Sequence, residues 1–554
     1  MRRYWVVALA VLTLLGVLSP PAVAQAPAPK VTITGLIDTV TFYGKNYSQE
    51  DRNIGKDDKD SQWLSRNRGV FTMTGEVGKA KGVLALELDL GWGVPSDTQS
   101  TPAVAQTGGN PAFLNQSFGG GNDVNDIIEI KWMYVEFPVP LIPVPTTLRL
   151  GGQPTGFMYK PSILLSTDMP GVSLTTTWTP AVTTRIDFWQ VDEQSVGVSA
   201  QQTANKTAFR RGDDIIIALY ADVTPMKGLN VLPFYIYSHG KDGSLSSGSN
   251  STANFPAVGG VTNAKLACTN AITTPHNGLD NACREERHYF GVDARWRSGP
   301  WSLDPTFIYL TGTREMFIGA TAGGVNQKQA QARSSWILDL RGGYRIGSLQ
   351  LDGLFVYSPG NDAEDNIGQV PGKVKNAKYF TVLGNDIAYG AGSLSNFFAL
   401  NGIDYIKGYA VGTSLFQGGN TSYDRYGRLD LGIKPSYALT PDLTIHSLLV
   451  WHRTAEDVDR NARFNAATGL YPAPRGSQDA DSKYLGTELN LGVTWRFAPG
   501  LTLDAGTGIL FAGKALERCR AGGDASASLA TPCTDGHTGT NDAYYTAARV
   551  RYNF

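Results

Sequence analysis

The chain has 554 residues and a formal net charge of −1, and only 18% of its residues are charged. A charge so close to zero gives no global attraction to nucleic acid or to an acidic lipid surface, so we expect no nucleic-acid partner. The 63 glycines, together with 24 Tyr, 22 Phe and 11 Trp, are typical of a chain built from strands and turns. Composition therefore favours an all-β protein.

The N-terminus has the layout of an export signal. Two arginines precede an apolar run at 5–17, and Ala22-Val23-Ala24 is the small-x-small pattern of a signal-peptidase site. The run is shorter than the roughly 20 apolar residues of a membrane-spanning helix, and the prolines at 20–21 would stop such a helix. We therefore predict a cleaved signal peptide at 1–24.

Strand patterns with two unlike faces recur along the rest of the chain. At 84–92 the even positions carry Leu and Trp, whereas the odd positions include Glu87 and Asp89. The segment 336–346 repeats the pattern, with Trp, Leu, Tyr and Ile on one parity and Asp and Arg on the other. A period of two indicates β-strands, and an apolar face that no helix covers fits a wall exposed to lipid.

Short turns, such as 78–82 and 224–228, alternate with long polar loops. Bacterial outer-membrane barrels have this asymmetry, with short periplasmic turns and long extracellular loops. A sheet in lipid must also close, since each unpaired backbone group there costs several kcal/mol. We predict a short periplasmic lead-in at 25–30 and a transmembrane antiparallel β-barrel at 31–554, with 359–423 as a loop that folds into the pore. Besides the first and last strands, which bring the total to about eighteen, the predicted strands are 71–77, 84–92, 128–137, 147–153, 172–178, 185–191, 215–223, 229–238, 289–297, 301–311, 336–346, 349–357, 426–437, 443–451, 485–497 and 501–511.

The last strand ends on the final residue of the chain. Its even positions are mostly apolar or aromatic and end in Tyr552 and Phe554, while Arg549 and Arg551 occupy odd positions. A terminal Phe with an aromatic residue two positions earlier resembles the insertion signal of outer-membrane barrels. The pattern predicts the barrel-assembly machinery as a partner of this strand.

The polar faces of the strands should form the inside of the barrel. A Lys or Arg that faces lipid at mid-bilayer costs about 2–4 kcal/mol, so charged residues of one parity belong on the water side. A barrel this wide cannot be filled by side chains of its wall, so the lumen should hold water or an inserted loop. Basic residues outnumber acidic ones on these faces, which predicts a modest anion preference; alternatively, many of these charges pair across neighbouring strands. The candidate pore-lining residues are Glu87, Asp89, Arg149, Asp339, Arg341, Arg345, Arg428, Asp430, Lys434, Glu488, Arg496, Arg549 and Arg551.

Two pairs within this set carry sharper expectations. Because the last strand must close against the first, Arg549 and Arg551 should approach Asp38, which would partly compensate them. Arg428 and Arg496 should come from neighbouring segments of the wall, with fields that overlap within a Debye length of about 8–10 Å. We expect their joint neutralisation to shift selectivity toward cations.

Four cysteines fall into two close pairs in Gly-, Ser- and Thr-rich stretches. In an exported protein the expected outcome is two loop disulfides, Cys268 with Cys283 and Cys519 with Cys533. The alternative is free thiols. No catalytic set is recognisable among the six histidines, and His446 and His452, six residues apart on one strand face, would lie about 20 Å apart. We therefore expect no enzyme, metal site or cofactor.

Two C-terminal segments carry a resemblance to known barrels. The stretches 440–451, which begins Thr440-Pro441-Asp442, and 484–513 resemble the C-terminal strands of alginate-export-type barrels, and the chain also looks like general bacterial porins of eighteen-strand size. The export family would imply a monomeric conduit with an arginine-rich constriction for an anionic polysaccharide. Here the acidic residues Asp339, Asp430 and Glu488 depart from a purely basic lining.

The sequence thus predicts an outer-membrane porin for passive diffusion of ions and small hydrophilic solutes, with a modest anion preference. The alternative is a dedicated export channel for an anionic polysaccharide. The expected partners are outer-membrane lipid, lipopolysaccharide, the barrel-assembly machinery and the transported solutes. The transported solute, the pore radius and the oligomeric state stay open.

Overall fold

The structure is a computed structural model, and it describes most of the predicted strands but few of the long connections. The signal peptide predicted at 1–24 lies outside the described residues. The described residues are 28–45, 62–91, 128–140, 142–193, 213–241, 282–318, 327–361, 376–385, 426–458, 482–514, 518–519, 537–538 and 542–554.

Within these residues, eighteen strands form one antiparallel sheet that closes on itself. Each strand pairs with the next along the chain, and the last returns to the first, where Leu36 lies opposite Asn553 and Lys45 opposite Tyr544. Closure satisfies the backbone groups that an open edge would leave unpaired in lipid. The predicted eighteen-stranded, porin-like barrel is confirmed. The strands are β1 (Lys30–Lys45), β2 (Gln62–Val77), β3 (Ala80–Gly91), β4 (Ile128–Pro138), β5 (Thr146–Pro154), β6 (Asp168–Thr179), β7 (Val182–Glu193), β8 (Asp213–Met226), β9 (Leu229–Lys241), β10 (Ala282–Ser298), β11 (Trp301–Ile318), β12 (Gln327–Ile346), β13 (Leu349–Ser358), β14 (Arg428–Ala438), β15 (Leu443–Val458), β16 (Ser482–Ala498), β17 (Leu501–Ala512) and β18 (Ala543–Asn553).

The alternation of apolar and polar residues in the sequence corresponds to the outer and inner faces of the barrel wall. Apolar side chains such as Ile186, Leu449 and Leu491 are exposed on the outside, whereas Asp187 and Glu488 on the same strands are buried on the inside. Tight turns join strands at one end, and Gly299 and Gly347 adopt positive φ values of 56° and 58° there, which L side chains rarely tolerate. Among the described residues, no helix has the length and apolar character to span a membrane.

Several strands extend further at their loop ends than the sequence pattern indicated. β12 has twenty residues and begins at Gln327, nine positions before the predicted start at Trp336. About 9–11 residues suffice for a strand to cross a bilayer, so the extension lies beyond the length that lipid requires. Its residues are largely polar on both faces, which is why the apolar alternation missed them.

Two described segments lie inside the barrel rather than in its wall. The first, the inner segment 155–167, connects β5 to β6 and contains a short 3-10 turn at Pro161–Ile163. The second, the strap, comprises 376–385, and its Gly384–Asn385 pairs in parallel with Leu165–Ser166 of the inner segment. The prediction that 359–423 folds into the pore is confirmed for the strap; 362–375 and 386–425 lie outside the described residues.

These two segments cover a continuous apolar surface on the inside of the wall. Phe380 of the strap packs edge-on against Tyr289, with ring centroids 6.1 Å apart, and Phe157 of the inner segment contacts the rings of Tyr220 and Phe234 at 4.7 and 5.3 Å. The sequence pattern predicted only polar residues in the lumen, and it did not indicate this hydrophobic core inside the barrel. We call its wall component the apolar wall; its buried residues are Trp189, Ile216, Ala218, Leu232, Phe234, Ile236, Tyr289, Ile308, Leu310, Ile337 and Val356, all on β7–β13.

Candidate functional site

The lumen is the candidate functional site, and the strap is fixed to one side of it. The backbone of Ala377 forms two hydrogen bonds with β12: Ser334 N donates to Ala377 O at 3.0 Å, and Ala377 N donates to Ala332 O at 2.8 Å. At the other end of the strap, Leu383 N donates to Leu164 O of the inner segment at 3.0 Å. These backbone bonds give the strap a defined register on the wall.

Buried charges hold the same strap from the side of β10. Glu285 accepts hydrogen bonds from Arg287 at 2.7 Å and lies 2.5 Å from Arg333 Nε, and all three side chains are at most 2% exposed. Arg287 Nη1 also donates to Val382 O of the strap at 3.2 Å. One carboxylate therefore compensates two buried guanidinium groups, an arrangement that is costly to disturb because an unpaired buried charge has little solvation.

The inner segment is attached by Lys160. Its ammonium lies 3.0 Å from Asp339 Oδ1 on β12 and donates to Asp304 O at 2.6 Å, and its backbone N donates to Asp293 Oδ2 at 3.2 Å. Burial lowers the pKa of Lys160, and the attraction of Asp339 opposes that shift. Tyr159 adds a hydrogen bond from its hydroxyl to Asp222 Oδ1 at 2.7 Å. Asp339, predicted to line the pore, thus holds the inner segment instead.

The barrel seam between β18 and β1 carries the predicted charge compensation. Arg551 forms an ion pair with Asp38, which confirms that expectation. Arg549 pairs with Asp504 of β17 at 2.8 Å rather than with Asp38. The difference follows from register, because Arg551 lies opposite Asp38 on one side and Arg549 lies opposite Asp504 on the other.

Further inward ion pairs continue around the wall from the seam. Arg68 on β2 and Lys131 on β4 both contact Glu87 of β3, at 2.7 and 2.8 Å. On β5, Arg149 pairs with Glu136 at 2.6 Å. The wider network predicted as an alternative, with charges paired across neighbouring strands, is therefore present. We call the inward face of β14–β18 and β1–β6 the polar wall.

In the inward ion pairs at the seam and on β2–β5, the basic side chain is more exposed than its acidic partner, whereas Lys483 and Glu456 at the loop ends of β16 and β15 show the opposite order. Arg551 is 31% exposed against 2% for Asp38, and Arg549 is 22% exposed against 12% for Asp504. The same order holds for Arg68 and Lys131 against Glu87, and for Arg149 against Glu136. The longer basic side chains therefore present their charge to the lumen, while the carboxylates lie close to the backbone of the wall.

A histidine-centred cluster brings together residues that the sequence listed separately. His452 Nδ1 lies 3.0 Å from Asp430 Oδ1, and its Nε2 lies 3.2 Å from Glu488 Oε2. Arg428 Nε donates to the second oxygen of Asp430 at 2.5 Å. Arg428, Asp430 and Glu488 were predicted pore residues, but the role of His452 was missed. Parity could have identified His452 as a lumen-facing residue, because it lies on the inward face of β15.

The structure contradicts the expected proximity of Arg428 and Arg496. Arg428 begins β14 at its loop end, where Asp430 lies opposite His452 and His452 lies opposite Gly486 of β16. Arg496 is ten residues beyond Gly486 toward the tight turn, which is about 33 Å at 3.3 Å per residue. Arg428 lies near the loop end of its strand and Arg496 near the tight-turn end of its own, so the two residues lie at opposite rims of the barrel. This distance exceeds the Debye length, and their electric fields therefore do not overlap.

The remaining predicted pore residues occupy varied positions. Arg341 pairs with Asp339 at 2.8 Å beside the inner segment. Arg345 is exposed near the tight-turn end of β12, where its Nε donates to Gly347 O at 3.2 Å. Lys434 lies opposite Asp352 of β13 on the inward face. The backbone of Asp89 lies in β3 opposite Arg68, and its side chain is outside the described set.

The disulfide predictions cannot be placed on the structure. Cys268 and Cys533 lie outside the described residues, whereas the backbone of Cys283 belongs to β10 and that of Cys519 to a two-residue strand. Both disulfides therefore remain predictions. In the part of the chain that the structure describes, no three His, Cys, Asp or Glu side chains form a group that could hold a metal ion.

Comparison with known proteins gives structural matches alone. No family model and no curated protein matches the chain. Among solved structures, the outer membrane protein OprD from Pseudomonas aeruginosa is 11% identical with a TM-score of 0.45, covering 96% of this chain and 95% of its own. Pseudomonas aeruginosa OccK8 (OprE) is 10% identical with a TM-score of 0.44, covering 95% and 98%. Acinetobacter baumannii OccAB4 is 9% identical with a TM-score of 0.43, covering 94% and 98%. These structures do not support the resemblance to alginate-export barrels, and the fold assignment rests on the closed strand pairing.

Proposed function

We propose that the protein is a bacterial outer-membrane channel through which ions and small hydrophilic solutes diffuse, with a modest preference for anions. The observation that carries this proposal is the order of exposure in the inward ion pairs at the seam and on β2–β5, where the basic member is more exposed to the lumen. A solute passing along the polar wall meets guanidinium and ammonium groups before carboxylates. Fixed charge of one sign attracts ions of the opposite sign into a pore.

The apolar wall limits where the solute can pass. The strap and the inner segment cover the apolar wall, whereas the polar wall carries ion pairs whose basic members are partly exposed. A path along the polar wall suits ions and small polar solutes, because their hydration can be replaced by hydrogen bonds to charged side chains. A path of this kind favours a diffusion channel over an exporter of polysaccharide chains.

The test of selectivity is the reversal potential of the purified full-length protein in planar bilayers under a KCl gradient. The unmodified channel should favour chloride, and Arg551→Gln with Arg549→Gln should shift the reversal potential toward potassium. The matched variants Asp38→Asn and Asp504→Asn remove the acidic members of the same pairs and should shift it the other way. The preference should fade as salt rises, since screening shortens the reach of each charge. Cation selectivity in the unmodified protein, or the absence of conductance, would overturn the proposal.

The membrane location has its own test. The protein should fractionate with outer membranes and migrate faster on gels before boiling than after it. Deletion of residues 552–554 removes the backbone hydrogen bonds between Phe554 and Gly35, which are 3.0 and 3.1 Å long, and it also shortens β18 at the seam. We expect that deletion to reduce insertion sharply. Normal insertion of the truncated chain would contradict a role for the C-terminal strand in recognition by the assembly machinery.

A further inference from the structure

The outer face of the barrel carries an apolar groove across β1–β5. Neighbouring strands align Val31, Gly75, Gly82 and Val135 in one row, because Val31 lies opposite Gly75, Gly75 opposite Gly82, and Gly82 opposite Val135. The two glycines at the centre of this row leave a gap between valines. The groove has a volume of about 510 Å³, and its lining also includes Met73, Leu84, Met133 and Leu150.

This groove is a shallow, open depression in the outer face, where two glycines lack the side chains that cover the neighbouring wall. A Cβ built on Gly75 or on Gly82 meets nothing within 4 Å, so the space above both residues is open. Met73 and Leu84, which lie opposite each other one step further from the turn, close the recess on that side. Its volume lies within the range of about 300–1,000 Å³ that small-molecule pockets have. The recess is lined by apolar groups, so its occupant must present hydrocarbon.

A cation lies at the end of the groove nearest the tight turn. From Gly75 and Gly82, β2 and β3 continue through the pair Val77 and Ala80 to the turn, where Lys79 is exposed. Lys79 has no ion-pair partner among the residues that the structure describes. Lys79 is three positions from Gly82, about 10 Å along the strand. The apolar groove can contact an acyl chain, and the ammonium group of Lys79 can contact an anionic headgroup of the same molecule.

We propose that this groove binds an anionic phospholipid of the periplasmic leaflet, with one acyl chain between Val31 and Val135 and the phosphate beside Lys79. The tight turns lie on the periplasmic side in barrels of this kind, so the headgroup would be at the height of that leaflet. A basic side chain near a membrane surface contributes to binding of acidic lipid. The proposal rests on the membrane location of the barrel but is independent of its conductance.

The test is native mass spectrometry of the detergent-solubilised full-length protein after incubation with equimolar phosphatidylglycerol and phosphatidylethanolamine. The unmodified protein should retain phosphatidylglycerol about fivefold over phosphatidylethanolamine, which is the ratio that one lysine near the headgroup supports. Lys79→Glu should abolish that preference. The matched control is Lys227→Glu, an exposed lysine at the tip of the turn between β8 and β9, which should leave the preference unchanged.

The groove itself is tested by filling it. Gly75→Leu with Gly82→Leu should reduce retention of both lipids at least fivefold, whereas Gly353→Leu, at an outward glycine of β13 with similar open space, should leave retention unchanged. Faster gel migration before boiling reports that each variant is folded. The proposal is overturned by equal retention in the filled variant, by equal effects of the two lysine variants, or by a dimer of this chain in place of the lipid adduct.

Discussion

The apolar wall and the polar wall are parts of one barrel with the same strand geometry, yet they differ in whether their inward side chains are covered or exposed to the lumen. On β7–β13 the inward face combines aliphatic and aromatic residues with fully buried ion pairs, and the strap and the inner segment cover it. On the polar wall the inward face carries ion pairs whose basic members remain partly exposed. A barrel wall can therefore serve as the surface of a hydrophobic core on one side and as the lining of a solute path on the other.

The difference predicts that equal chemical changes have unequal effects on the two walls. An inward charge beneath the strap has no access to water, so loss of its partner leaves it unsolvated. An inward charge on the polar wall can recover hydration from the lumen. Four substitutions compare these environments, from the largest expected effect to the smallest.

Glu285→Gln should have the largest effect. It leaves Arg287 and Arg333 buried without their common carboxylate, and breaking a buried ion pair in this way costs about 3–5 kcal/mol. We expect the strap to detach, which tryptic cleavage after Lys378 in the folded protein would report. The control Glu136→Gln removes the partner of the more exposed Arg149 and should leave the strap resistant. Equal protection of both variants would show that this ion cluster does not hold the strap.

Phe380→Ala should have an effect nearly as large. The ring is fully buried against Tyr289, and truncation of a buried Phe costs about 3–5 kcal/mol when the cavity does not collapse. Single-channel conductance should rise as the strap loses its packing. Phe307→Ala, at a half-exposed outward position on β11, deletes the same atoms at the lipid surface and should leave the conductance unchanged. An identical conductance in all three proteins would mean that the strap does not restrict the lumen.

Asp38→Asn should have an intermediate effect on stability. The carboxylate is buried at the seam and pairs with Arg551, but that guanidinium is partly exposed and retains contact with water. Hydrogen bonds to charged groups contribute about 1.5–3 kcal/mol, so we expect the free energy of unfolding to fall by about that amount. Urea unfolding monitored by tryptophan fluorescence in lipid vesicles measures it. A loss as large as that for Glu285→Gln would erase the predicted distinction between the walls.

Arg297→Gln should have the smallest effect. Arg297 pairs with Asp304 near the tight-turn end of β10, but its side chain is half exposed. Exposed ion pairs contribute about 0–1 kcal/mol, because water solvates both partners well once they separate. Unfolding in urea should therefore hardly change. A loss above about 2 kcal/mol would show that this pair is less accessible to water than its exposure indicates.

The sequence by itself determined the class of fold. Alternation with a period of two is a local property, and it identified the strands, the outward face and the inward parity of residues such as Glu87, Arg428 and Arg551. Closure followed because lipid offers no partner for the backbone of an open edge. The same logic anticipated the approach of Arg551 to Asp38, although 513 positions separate them.

Only the tertiary structure decided which inward residues meet each other or meet the interior segments. Lys160 and Asp339 are 179 positions apart, and nothing in the local pattern of either residue indicates the other. The apolar inward residues of β8, β9 and β11 lie on strands that are apolar on both faces, so periodicity could not show that their inner side is covered. The positions of Arg428 and Arg496 along the barrel axis depend on strand register, whereas parity determines only which face of the strand each side chain occupies. Parity is set by the geometry of a single strand, whereas register, height and the course of the strap are set by contacts between distant parts of the chain.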